Sequence, residues 1–90
     1  MEVEIRLLAA HSLKDKRQLR RSLVERLRGR FNLSVTEIAS QALWNRLELG
    51  IAYVAINQAT AEQMRDKIEA ILDEWVEPTA LVVRVDSDIS

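Results

Sequence analysis

The chain has no cysteine, a single histidine, one proline and two glycines among its 90 residues. Without thiols there is no disulfide and no thiolate-bound metal. The lone imidazole, His11, has no suitably spaced acid cluster and cannot make a metal site. His11 and Ser12 are neighbours in sequence, which does not give nucleophile–base geometry. So few turn-forming residues predict long regular elements. Aromatic residues are scarce too, limited to Phe31, Trp44, Tyr53 and Trp75. Long apolar runs are also missing. The first, Val3 to Ala10, is broken by Glu4 and Arg6, so it reads neither as a signal peptide nor as a membrane span. Cytoplasm, with no membrane contact, is the expected location. No linker, low-complexity tract or repeat divides the chain.

What is present is a composition that is 48% hydrophobic, enough for one modest core in a single domain over residues 1–90. A net charge of −1 conceals two opposed blocks. Residues 1–30 hold nine Lys/Arg and four Asp/Glu, whereas residues 31–90 hold four and ten. Such polarity says more about partners than the overall balance does.

Val3, Ile5, Leu7 and Ala9 alternate with Glu2, Glu4 and Arg6, the pattern of a half-buried strand. Ser12 and Asp15 form a capping-box spacing that opens a helix running to about Arg30. Leu13, Leu19, Leu23, Val24 and Leu27 gather on one arc of it. Leu33 to Ile38 reads as a second strand. Leu47 to Asn57 is apolar on both faces, so a central strand is expected there. Thr60 and Gln63 give a second capping box, followed by Met64, Ile68, Ile71, Leu72 and Trp75 on one helical face. Pro78 stops that helix, and Leu81, Val83 and Val85 alternate as a last strand. The order β-α-β-β-α-β is the ferredoxin-like arrangement of the α+β class. Right-handed crossovers put both helices on one face of a four-stranded antiparallel sheet.

The first helix carries the candidate site. Lys14, Arg17, Arg21 and Arg28 fall within about 60° of one another, opposite the leucines. Lys16 and Arg20 lie towards the buried side and are expected to snorkel along it. Like charges at these spacings repel, and cations in the first turn oppose the helix dipole. Something outside the helix must compensate. One compensation is the outward face of the second helix, with Glu62, Asp66, Glu69, Asp73, Glu74 and Glu77. The other is a phosphate backbone, which arginine forks match. Free N–H groups near Ser12 would add an anion site at the helix N-terminus. Charge alone favours the helical neighbour.

Between strands 2 and 3, Gln41, Trp44 and Arg46 offer a second contact. Trp44 could stack on a base or anchor a partner, though the scarcity of aromatics favours a plug at the end of the sandwich. The sheet lacks the stacked aromatics of an RNA-recognition surface, and no GxxG clamp is present. Any RNA contact would thus be helix-led and directed at the backbone. The second apolar face of strand 3, with Ala52, Val54 and Ile56, would leave a band on the open sheet. A homodimer through that face is the alternative expectation.

The run Ser12-Leu13-Lys14-Asp15-Lys16-Arg17, then Ser22-Leu23, Arg26-Leu27-Arg28 and Arg30-Phe31-Asn32, resembles the YlxP-like family of small bacterial proteins. The resemblance continues through Ser34-Val35, Glu37, Gln41, Leu43-Trp44, Arg46 and Leu49-Gly50-Ile51-Ala52, spanning about residues 2–57. After Asn57 only the helix-then-strand pattern agrees. It departs at strand 1, which reads as shorter than in the family, and in the turn before Ser12, which has less glycine and proline. The resemblance implies a ferredoxin-like fold and no established activity. Genes of this family often lie beside those for translation initiation and ribosome-binding factors, which implies rRNA or a ribosomal subunit as partner. The nucleic-acid-binding candidates are then Lys14, Lys16, Arg17, Arg20, Arg21 and Arg28. Acylphosphatases share the topology, but their glycine-rich phosphate loop has no counterpart at His11-Ser12. No enzyme and no cofactor are expected.

Overall fold

The computed structural model describes residues 1–87. Its elements run β1 (Glu2–Leu7), α1 (Leu13–Arg30), β2 (Leu33–Ala39), β3 (Arg46–Tyr53), α2 (Gln58–Val76) and β4 (Ala80–Asp86). They form the ferredoxin-like α+β arrangement expected from the periodicities. The sheet is antiparallel in the order β2-β3-β1-β4, so β3 and β1 are its middle strands.

Alternation decides which face is covered. Val3, Ile5 and Leu7 of β1, Val35 of β2, and Leu47, Leu49 and Ile51 of β3 are buried. They pack with Leu23 and Leu27 of α1 and with Ile68, Ile71, Leu72 and Val76 of α2. Leu13, placed on the apolar arc by periodicity, is exposed where α1 begins. The Tyr53 hydroxyl donates to Ala61 O at 2.9 Å and ties the end of β3 to the start of α2. Burial pushes this phenol above its ordinary pKa, with smaller opposed effects from Arg65 and Asp66.

Three boundaries differ from the sequence expectation. β1 ends at Leu7 rather than Ala9, because the Leu8 and Ala9 amides both turn to Thr79 O. β3 stops at Tyr53, since its neighbours run out there: β2 begins opposite it at Leu33, and β1 begins at Glu2 opposite Gly50. Val54 and Ile56 therefore lie outside the strand and are almost fully exposed. Finally, α2 is capped by Asn57, whose side chain accepts from the Thr60 amide at 2.8 Å. Thr60 is already inside the helix. Asparagine is a stronger N-cap than threonine and comes a turn earlier.

The open face of the sheet is tiled with charge. Glu4 meets Arg6 (3.7 Å) and Arg46 (3.5 Å), while Arg84 meets Glu48 (3.7 Å) and Asp86 (3.2 Å). With Val54 and Ile56 displaced from β3, the expected apolar band is not formed on this face. The large exposed apolar residues of the sheet, Ile38 in β2 and Leu81 and Val83 in β4, belong to strands at opposite edges with the ion pairs between them.

Candidate nucleic-acid interface

The start of α1 is fixed by its own sequence. Ser12 Oγ accepts from the Asp15 amide at 3.2 Å, and Asp15 Oδ2 accepts from the His11 amide at 2.9 Å. This is the reciprocal logic of a capping box, with the acid reaching one residue further back. It also bears on the anion site expected near Ser12. The hydroxyl is spent on the cap, and the Asp15 carboxylate already supplies negative charge at the positive end of the helix dipole.

From this cap, Lys14, Arg17, Arg21 and Arg28 project outward and are exposed. Among the described residues none of the four lies within 4.0 Å of a carboxylate oxygen. The acidic face of α2 does not reach them. Among the described residues its only ion pairs are internal, from Arg65 to Asp66 (3.2 Å) and to Glu69 (3.9 Å). The two helices instead meet through Arg26, whose guanidinium stands over the Trp75 ring at 5.7 Å. Among the described residues, then, no ion pair from α2 neutralises the cationic row.

Lys16 departs from expectation. It does not snorkel: its whole side chain is buried, and the residue is 1% exposed. Its ammonium donates to Ser40 O (2.6 Å) and Leu43 O (2.8 Å), and sits 2.7 Å from Glu37 Oε2. The other carboxylate oxygen, Oε1, accepts from Arg20 Nη1 at 2.8 Å. Lys16 is therefore withdrawn from the phosphate-contacting candidates. Arg20, about a third exposed, is largely committed to Glu37. A buried ammonium needs this much pairing, because an uncompensated charge in the interior is costly.

Glu37 is the centre of this triad. It lies on the same face of β2 as Leu33 and Val35, pointing at α1. Burial alone would raise its carboxyl pKa, but hydrogen bonding and charge from Lys16 and Arg20 outweigh that and hold it below the ordinary value of 4.5. A depressed folded-state pKa stabilises the fold above the unfolded value, and that contribution is lost as pH falls through the folded one. Urea midpoints measured across an acid series are thus expected to fall as pH drops below about 4.5. In Glu37→Gln, weaker from the outset, the dependence should flatten. An equally steep fall in that variant would locate the acid sensitivity elsewhere.

The triad also shapes the loop between β2 and β3. Ser40 adopts a left-handed conformation with φ of 61°. Its hydroxyl donates to Glu48, and its carbonyl accepts from both Lys16 and the Leu43 amide. Gln41, Leu43 and Trp44 are carried on this loop, exposed. Trp44 is 45% exposed, too open to be the buried plug at the end of the sandwich that the sequence favoured. Phe31, Tyr53 and Trp75 are the aromatics that pack there. Arg46 separates from the other two, being turned onto the open sheet face by Glu4.

The buried lysine had a readable signal in the sequence. An acid at Glu37 on the apolar side of a strand and a lysine on the inward side of α1 are each anomalous, and together they predict a pair. Among the described residues no cluster of three or more His, Asp or Glu could hold a metal. Nor is any helix there long and apolar enough to cross a membrane.

Comparison with known proteins places this geometry in a family. The chain is 31% identical over 85 residues to an uncharacterized protein, YlxP, of Bacillus subtilis (strain 168), covering 94% of this chain and 92% of the relative. A family described as protein of unknown function (DUF503) matches residues 1–85, well past the point where the motif resemblance ended. The chain therefore belongs to the YlxP-like DUF503 family, whose function is unknown.

Proposed function

We propose that the protein is a non-catalytic cytoplasmic accessory factor that contacts rRNA on the ribosome or a ribosomal subunit through α1. The observation that carries this reading is the row of exposed cations, Lys14, Arg17, Arg21 and Arg28, left without carboxylate partners among the described residues. Like charges on one helix face repel each other. Phosphate oxygens would relieve that repulsion and release counterions on binding. Backbone contact of this kind positions the protein on RNA and carries little sequence information.

The test is co-sedimentation with ribosomal subunits across a salt series. Four phosphate contacts predict a log–log slope of roughly −3 to −4. The double variant Arg17→Glu/Arg21→Glu removes two of them and is expected to bind at least tenfold more weakly, with the slope reduced by about 2. Both side chains are exposed, so the fold should survive and can be checked by thermal unfolding. If the double variant sediments like the parent at every salt concentration, α1 is not the contact surface.

A further inference from the structure

We infer that Trp44 stacks on an unpaired base of the RNA held by α1, so that the preferred ligand is a duplex interrupted by a bulged or single-stranded nucleotide. The inference rests on the RNA reading of α1 and names the form of RNA that this surface would take.

Three observations support it. Trp44 is half-exposed and outside the core cluster, while the other three aromatics of the chain pack against that cluster. An indole with about half its surface open offers a stacking face to any base. Next, the loop that carries it is held from both sides. Lys16 grips the Ser40 and Leu43 carbonyls, the Leu43 amide closes a turn onto Ser40, and the Ser40 hydroxyl is tied to Glu48. A platform fixed before binding loses little freedom when a ligand arrives.

The third observation is position. Lys16 lies between Lys14 and Arg17 in the chain. Trp44, adjacent to Leu43, is thus one lysine side chain and one hydrogen bond away from the turn of α1 that begins the cationic row. Arg17 is about 100° around the helix from Lys16 and forms the edge of the row nearest the loop. A strand whose phosphates meet Arg17 can turn one base towards Trp44. Gln41, exposed on the same loop, adds an amide able to reach a base edge. An uninterrupted A-form duplex keeps its bases stacked and would use only the cations.

The experiment compares a blunt RNA duplex with the same duplex carrying one bulged adenosine. Each is titrated with the wild-type protein, Trp44→Ala, Trp44→Phe and Arg17→Glu/Arg21→Glu. The wild type is expected to favour the bulged RNA. Trp44→Ala should weaken that complex roughly ten- to hundredfold while leaving duplex binding nearly unchanged. Trp44→Phe, which keeps a stacking face, should retain most of the preference. The double arginine variant should lose both RNAs. Equal binding of bulged RNA by Trp44→Ala and wild type would overturn the stacking inference and leave α1 as the contact. Failure of the wild type to bind either RNA would overturn both.

Discussion

Lys16→Met is expected to lower the stability of the domain by about 3–5 kcal/mol, the cost of breaking a buried ion pair from one side. Methionine fills much of the same volume, so the loss would come from polar groups rather than from a cavity. Glu37 would keep its charge with only Arg20 beside it, and the Ser40 and Leu43 carbonyls would each lose their lysine donor. A domain of this length has about 5–10 kcal/mol in all, so the variant should be close to the edge of folding. Thermal unfolding would move down by on the order of 15–30 °C. Adding Glu37→Gln to Lys16→Met should recover part of the loss, because the unpaired charge is then gone. Hydrogen exchange over residues 40–45 should speed up in Lys16→Met before global unfolding. A variant as stable as the parent would mean that the ammonium does not hold this loop.

Gly50→Val should cost about 1–2 kcal/mol for a different reason. Gly50 faces the open side of β3, and a Cβ built there would stand 2.6 Å from Ile38 Cγ2. That is closer than real carbon contacts, and the atom in the way is the β-branch methyl of isoleucine, which can move only by leaving its χ1 rotamer. Overpacking of this kind costs typically 1–3 kcal/mol. The gain in strand propensity from removing a glycine is smaller, at most about 1 kcal/mol. In an Ile38→Ala background the obstacle is gone, and the sign should reverse, with valine then stabilising. A double-mutant cycle measured by urea unfolding reads this coupling directly. Additive effects would show that Ile38 is not what keeps position 50 small.

The fold was legible because its signals are periodic. The alternation of Val3, Ile5 and Leu7 and the helical spacing of Ile68, Leu72 and Trp75 each report one buried face without reference to anything distant. The ends of elements were less legible. Whether Val54 and Ile56 continue a strand depends on where β1 and β2 begin, and that information lies elsewhere in the chain. The site divides the same way. Lys14, Arg17, Arg21 and Arg28 follow from the helical wheel, which gives direction. Depth is another matter: an inward lysine and an inward acid hint at a pair, but the carbonyls of Ser40 and Leu43 that complete the burial of Lys16 are 24 and 27 residues away. The exposure of Trp44 is hidden for a related reason. A loop turned outward by a buried ammonium cannot be told from a loop folded over the core by composition alone.

Both outer strands of the sheet depart from regular pairing. Ile38 is an extra residue in β2 between the partners of Leu49 and Glu48, and Val83 is one in β4 between the partners of Glu4 and Ile5. Such bulges, together with an inward-pointing charge like Glu37, spoil an edge as a template for a further strand. The lysine that pairs with Glu37 therefore also permits a carboxylate at a position that discourages fibrous polymerisation. Replacing the whole triad with well-packed aliphatic residues is a change that folding tolerates well, yet it would leave β2 a smoother and more adhesive border. Beside holding the native state, the paired charges thus leave the sheet a border poorly suited to ordered growth of chain upon chain.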